Sequence, residues 1–251
     1  MCTLAVAVGT DRRWPVLVAA NRDERLGRAS EDWALRSGPA RPAWLAPRDA
    51  VAGGTWIGVS AAGVFAGLTN FHVPTGQGPD PDRRSRGEIV PAALAHPTAA
   101  AARSALASLP AGAFNPFHLL VADGHGAFLW WFDGETSAFE DLGPGLHVVT
   151  ERSPHGRDPR GDLVRSRWPL DPTPARLREL LATHTPLPGP CIHLGEVYGT
   201  RSAAVLRLAP AVAHSELYAS VGAPCVTPLE DRAALLAALA RSGSPPGAAA
   251  P

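Results

Sequence analysis

The chain has 251 residues, 45% of them apolar, and its 23 acidic residues balance 23 basic ones, all arginine, for a formal net charge of zero. That length buries roughly 70 to 75% of the unfolded surface in one domain without a disulfide or metal staple, and dispersed basic residues leave no electrostatic footprint for nucleic acid. Three cysteines, Cys2, Cys191 and Cys225, make no even framework, and no basic region precedes the short apolar run at the start, so a reduced, cytoplasmic protein with neither signal peptide nor membrane span is expected.

In chain order, Cys2 stands directly behind Met1, and removal of Met1 would leave a free N-terminal cysteine. Its α-amine (pKa about 8) can take the proton of its own thiol (about 8.5) near neutral pH without any histidine. A small apolar-like residue on a buried strand is the commoner use of such a cysteine. The runs Leu4 to Val8 and Val16 to Ala20 flank Gly9-Thr10-Asp11-Arg12-Arg13 and read as a β-hairpin. Asn21-Arg22-Asp23-Glu24 follows at once. In isolation four such residues read as a solvated turn, but a hairpin returns Asp23 to the side of Cys2, where a carboxylate can orient the amine.

Gly53-Gly54 shapes a turn into a second hairpin, Trp56 to Ser60 and Val64 to Asn70. Ser85 and Glu88 have the form of a capping box opening a helix toward Ala95, kinked at Pro91, and Thr98 caps a second helix that runs to Leu109. Phe117 to Ala122 and Ala127 to Phe132 form a third hairpin, in which at least one of Trp130 and Trp131 faces the core. Leu146 to Thr150 is a strand, two helices lie between Arg160 and Thr183, and Ala203 to Leu208 and Ser215 to Ala219 return to strand. A helix from Leu229 to Arg241 ends one domain of residues 1–241, and 242–251 is a disordered tail.

Among the remaining residues, His72, His147 and His155 follow segments expected to end near Cys2 and are the candidates should haem or a metal bind. Cys191 with His193 is too sparse a pair for zinc, so no metal site is assigned and no cofactor is required. Arg201 and Ser202 suit a carboxylate or phosphate, or Arg201 pairs across strands with Asp23 or Glu24.

Cys2-Thr3, Asn21-Arg22-Asp23-Glu24, Gly53-Gly54-Thr55-Trp56-Ile57-Gly58, Gly67-Leu68-Thr69-Asn70, Ser85-Arg86-Gly87 and Tyr198-Gly199-Thr200-Arg201-Ser202 occur in the order of the NRDE family, also called the transport and Golgi organisation protein 2 family, which the chain resembles from Cys2 to about Leu208. That family in turn resembles the cysteine branch of the N-terminal nucleophile (Ntn) hydrolases, the penicillin V acylases and bile salt hydrolases. The resemblance implies an α+β fold, a four-layer αββα sandwich of two antiparallel sheets covered by helices. It implies Cys2 as nucleophile, Asp23 as anchor of its amine and Asn70 as an oxyanion donor. Two positions depart from the acylases: Ala20 stands where they carry an arginine, for which Arg22 and Arg201 are candidate substitutes, and Glu151 stands where they carry a second catalytic asparagine.

Two functions are open on this reading. One is an amidohydrolase or acyltransferase acting on an amide of a small or lipophilic acyl group. The other, implied by the family, is a non-catalytic carrier of haem or of acyl-coenzyme A and lipids. In either case Asn21, Arg22, Glu24, His72, Glu151 and Arg201 are the expected binding residues around Cys2.

Overall fold

Period-two alternation divides the first hairpin between two packing partners. In β1 (Cys2–Val8) and β2 (Val16–Arg25), Leu4, Val6, Val8, Val16 and Val18 point into one core, while Ala5, Ala7, Leu17 and Ala19 point to the other face. Small alanines on that second face leave room for helices to lie close. The structure is a computed structural model that describes residues 2–38, 41–73 and 78–242.

The strands continue as β3 (Ser30–Gly38), β4 (Arg41–Asp49), β5 (Ile57–Ser60), β6 (Phe65–Asn70), β7 (Phe117–Ala122), β8 (Ala127–Phe132), β9 (Ser137–Leu142), β10 (Gly145–Thr150), β11 (His193–Leu194), β12 (Tyr198–Leu208), β13 (Glu216–Ser220) and β14 (Glu230–Asp231). The helices are α1 (Ile89–Leu94), α2 (Ala99–Leu106), α3 (Pro159–Arg167), α4 (Pro174–Leu181) and α5 (Ala233–Ser242). One antiparallel sheet has the order β10-β1-β2-β12-β13-β14, with β11 added at the end of β12; the other runs β3 to β9 in sequence order.

Three cores lie between four layers. Leu4, Val6 and Leu206 of the first sheet meet Leu45, Phe65 and Leu120 of the second. The outer face of the second sheet packs Ala66, Leu119 and Trp130 on α1 and α2 through Ile89, Leu94 and Leu106. The outer face of the first packs Ala5, Ala19 and Val205 on α3 and α4 through Val164, Leu177 and Leu181. The fold is the expected αββα sandwich. Among the described residues no helix is long and apolar enough to cross a membrane.

Several elements differ from the sequence expectation. β3 and β4 were not anticipated, because β3 is an edge strand that buries little besides Trp33 and β4 carries Pro42 and Pro47. Both prolines fall outside the paired rungs, Pro47 opposite a bulge of β3, so no ladder bond is lost. β9 is likewise an exposed edge. The capping box at Ser85 does not form. Ser85 accepts from the amide of Gly87, Glu88 pairs with Arg84, and a 3-10 turn precedes α1. Pro91 lies in the first turn of α1, where its missing N–H has no intrahelical acceptor to lose, so it calls for no kink. Thr98 caps α2 as expected, although the helix ends at Leu106. The last helix begins at Ala233, because Glu230 and Asp231 pair with β13 instead. Of the expected tail, Ser242 closes α5 and 243–251 lie outside the described residues.

Gly53 takes φ +77°, a turn conformation that favours glycine. A Cβ on Gly54 would stand 2.6 Å from the backbone of Gly87, whose carbonyl also accepts from the amide of Thr55 at 3.1 Å.

Candidate active site

The run Asn21-Arg22-Asp23-Glu24 is strand, not turn. β12 pairs along the free edge of β2 as far as Tyr198 opposite Arg25, so Asn21 and Arg22 sit between β1 and β12, and Asp23 and Glu24 pair with β12 just past the start of β1. Asn21, Arg22 and Asp23 are only 2, 6 and 3% exposed, which overturns the reading of a solvated turn. The register sets Cys2 opposite Arg22, and the Cys2 thiol points at the carbonyl oxygen of Asp23 at 4.0 Å. The hydroxyl of Tyr198 donates to that same carbonyl at 2.9 Å.

The Asp23 carboxylate is buried beside partners from β12 and α3. Thr200 of β12 donates its hydroxyl to Oδ1 at 2.6 Å, and Nη1 of Arg160 lies 3.6 Å from Oδ2. The same Nη1 donates to Oε2 of Glu151 at 3.0 Å. Burial pushes the Asp23 carboxyl up to about 7, since Thr200 and Arg160 oppose the loss of water without cancelling it. Burial also pushes the Cys2 thiol above its ordinary value. The Asp23 and Glu151 carboxylates push it the same way.

Arg160 is the residue sequence reasoning missed. Its guanidinium lies beside Asp23, whereas those of Arg22 and Arg201 go to Glu24 and to the Arg25 carbonyl. Asp158 caps α3 by accepting from the amides of Arg160 and Gly161, and it is hydrogen-bonded to Thr150 at the end of β10, so the helix starts beside Glu151. An arginine in the first turn of a helix runs against the dipole, and the buried carboxylates of Asp23 and Glu151 offset that cost. Glu151, buried and also 3.6 Å from Arg152, is therefore not a bare charge.

The other expected binding residues separate into several places. Arg22 stacks on Trp56 at 4.1 Å and meets Glu24 at 3.6 Å, and Glu24 also reaches Arg28. Asn21 donates through Nδ2 to the carbonyls of Leu181 and Pro190, tying the end of α4 to the sheet rather than facing a ligand. Arg201 is the extra residue of a β-bulge between Thr200 and Ser202, and its guanidinium donates to the Arg25 carbonyl, not to Asp23 or Glu24. His147 sits opposite Val6, well along β1 from Cys2, and contacts the Gly143 carbonyl; His155 pairs with Glu140. Neither belongs with Cys2, because β10 meets β1 head to tail and it is Thr150 that arrives opposite Thr3.

Two cavities adjoin this network. A slot of about 20 Å³ is lined by Cys2, Arg22, Trp33, Trp56, Leu68 and Thr69, room for about one water. A wide cleft of about 750 Å³ is lined by Asn70, His72, Arg86, Glu151, Arg152 and Tyr198. Asn70 and His72 thus stand with Glu151, whose carbonyl accepts from the amide of His72 at 2.6 Å, and Cys2 stands in the slot. Beneath the slot, His118 shares a 3.1 Å hydrogen bond with the hydroxyl of Thr69. Burial pushes His118 down to about 3, so it is a neutral brace.

The fold is that of solved Ntn hydrolases. It is similar to an N-acylethanolamine-hydrolysing acid amidase ortholog from Caenorhabditis elegans (TM-score 0.53, 13% identity, covering 82% of this chain and 92% of that one). It is similar also to penicillin V acylase from Agrobacterium tumefaciens (0.51, 18%, 88% and 83%) and to a mutant conjugated bile acid hydrolase from Clostridium perfringens (0.52, 12%, 92% and 92%). At these identities the likeness is one of fold. Transport and Golgi organization 2 homologs from Mus musculus and Bos taurus are each 32% identical over 111 residues, which is 43% of this chain and only 38% of either relative. The sequence model for Transport and Golgi organisation 2 matches residues 1–169. With that match over more than half of its length, the chain belongs to the Transport and Golgi organisation 2 family.

Proposed function

We propose that the protein is a cysteine amidohydrolase or acyltransferase of the Ntn type, acting on an amide of a small or lipophilic acyl group with Cys2 as nucleophile. The observation that carries this reading is the β1–β2 register, which sets the Cys2 thiol against Asp23 beside an apolar slot. Removal of Met1 frees the α-amine of Cys2. The amine takes the thiol proton, Sγ attacks the amide carbon, and the proton passes to the departing nitrogen as the C–N bond breaks. Water or a second amine then releases the acyl group from the thioester and regenerates the thiol. Asp23 orients the amine, and Asn70 serves as oxyanion donor, a contribution worth about 10²–10³ in rate. Arg160 keeps the Glu151 carboxylate from opposing the developing charge. The slot beside Cys2 holds about one water, so the bulk of the substrate lies in the wide cleft. The names of the structural neighbours, an acid amidase, an acylase and a conjugated bile acid hydrolase, support amide chemistry.

The test joins intact mass with turnover of a panel of acyl amides and acyl-homoserine lactones. The expected result is a protein starting at Cys2 and turnover that Cys2→Ala abolishes, with an acyl adduct on the wild-type thiol. A retained Met1, or turnover independent of Cys2, overturns the reading.

A carrier of acyl-coenzyme A or haem is a second reading, favoured by one observation: the wide cleft has the volume of a cofactor site and carries His72, Arg83, Arg86 and Arg152 on its walls. On that reading a haemin Soret shift weakens in His72→Ala but not in His147→Ala or His155→Ala, and acyl-coenzyme A binding weakens when Arg86 and Arg152 are replaced.

A further inference from the structure

Away from Cys2, two loops with no strand pairing between them among the described residues bring four donor side chains to one point. His184 and Cys191 lie in the loop that follows α4, His193 begins β11, and Cys225 sits in the turn between β13 and β14. One ligand atom from each lies within 4.8 Å of every other. We propose that these four residues form a structural zinc site.

The distances among Cys191, His193 and Cys225 are close to those a tetrahedral zinc requires, and His184 completes the set within 4.8 Å. With Zn–S near 2.3 Å and Zn–N near 2.05 Å, the edges of the tetrahedron are about 3.8 Å between sulfurs and about 3.6 Å between sulfur and nitrogen. Sγ of Cys191 lies 3.7 Å from Sγ of Cys225, and Nε2 of His193 lies 3.3 Å from Cys225 and 3.8 Å from Cys191. Two thiolates and two imidazoles select zinc among the common divalent ions, and four protein ligands leave no open position for chemistry. The second shell fits as well. Nδ1 of His184 donates to the Cys191 carbonyl at 3.0 Å, which fixes the tautomer and leaves the lone pair of Nε2 for the metal. Binding Zn²⁺ displaces one proton from each thiol and changes no oxidation state.

The loop so held carries two contacts to the Asp23 network. The carbonyl of Pro190 accepts from Asn21, and the amide of Ile192 donates to the hydroxyl of Thr200 at 3.0 Å, the hydroxyl that in turn donates to Asp23. Zinc therefore braces the strand that positions Asp23.

The full-length chain, purified anaerobically under reductant, should carry one zinc per chain by elemental analysis. After metal removal, cobalt(II) should give the intense visible bands of a tetrahedral site and a thiolate-to-cobalt charge-transfer band. Loss of an outer-shell partner alone weakens metal sites by about 10–100-fold; Cys225→Ser and His193→Ala should each cost at least that much. Cys2→Ala should keep the full spectrum. His193 is exposed, so its replacement keeps the fold, and the wild-type titration needs no variant at all. A weak octahedral cobalt spectrum in the wild type, a spectrum unchanged in Cys225→Ser, or a Cys191–Cys225 disulfide in the anaerobic protein would overturn the site.

Discussion

Two polar clusters meet on either side of Thr200, and they are built by opposite means. The Asp23 cluster hangs on strands: β1, β2 and β12 fix Cys2, Asp23 and Thr200 by ladder register, and only Arg160 comes from a helix. The His184–Cys225 cluster hangs mostly on loops held by a few turn hydrogen bonds, with only His193 on a two-residue strand. A charge buried in a sheet cannot relax away from its neighbours, so its surroundings set its protonation. Donors on loops can move apart, and an ion must hold them together. The comparison teaches that the first cluster is rigid and electrostatically costly, the second cheap and in need of a ligand.

The strongest way to break that contrast is to remove Arg160. Arg160→Met leaves Asp23 and Glu151 buried without their shared cation, and a loss of about 3–5 kcal/mol is expected in urea unfolding. Adding Asp23→Asn and Glu151→Gln to it should recover most of that loss. A mild effect of Arg160→Met alone would mean the sheet end is looser than its burial suggests.

Next is the joint between the clusters. Thr200→Val keeps the shape and removes a hydroxyl that serves Asp23 and Ile192 at once, at a cost of about 2 kcal/mol. Hydrogen exchange at the Ile192 amide should quicken with it. Unchanged exchange there would show that the loop is held independently of the strands.

The protonation of Asp23 gives a third, graded effect. Its carboxyl titrates at about 7 when folded against 3.8 ordinarily, so the native state binds the proton more tightly. Stability contributed by that bound proton is full below about pH 4 and is lost as pH rises to about 7, with a slope of at most about 1.4 kcal/mol per pH unit. Asp23→Asn removes the slope, so thermal midpoints of variant and wild type should diverge across this window and run parallel above it. Parallel curves throughout would refute the raised value. The smallest effect is expected outside both clusters: Glu88→Ala, which breaks only a surface pair with Arg84, should change stability by less than about 0.5 kcal/mol.

What the sequence disclosed follows the same division. The hairpins of β1 with β2 and of β7 with β8 were readable because their apolar runs are contiguous, and the approach of Asp23 to Cys2 followed from the first of them. Arg160 was not, since its helix reaches Asp23 through tertiary packing alone. His147 and His155 were misplaced because β10 had to be read from its far end: it is Glu151, one residue past Thr150, that reaches the network. The zinc ligands show no motif because the spacing from His193 to Cys225 is set by two intervening strands and not by a turn. β3 and β9 lie at sheet edges, where one buried face leaves a weak pattern.

The contact between Gly54 and Gly87 turns two distant motifs into a single object. Backbone lies against backbone, with Thr55 hydrogen-bonded to Gly87 across the gap, and a side chain on either glycine would strike main chain that cannot step aside. A combinatorial library randomised at either position should return glycine there, and one randomised at both should recover no compensating pair, since enlarging one side gives the other nothing to shrink. Such a lock makes Gly53-Gly54-Thr55-Trp56 and Ser85-Arg86-Gly87 inseparable in any transplant of this scaffold, whatever chemistry is grafted beside Cys2.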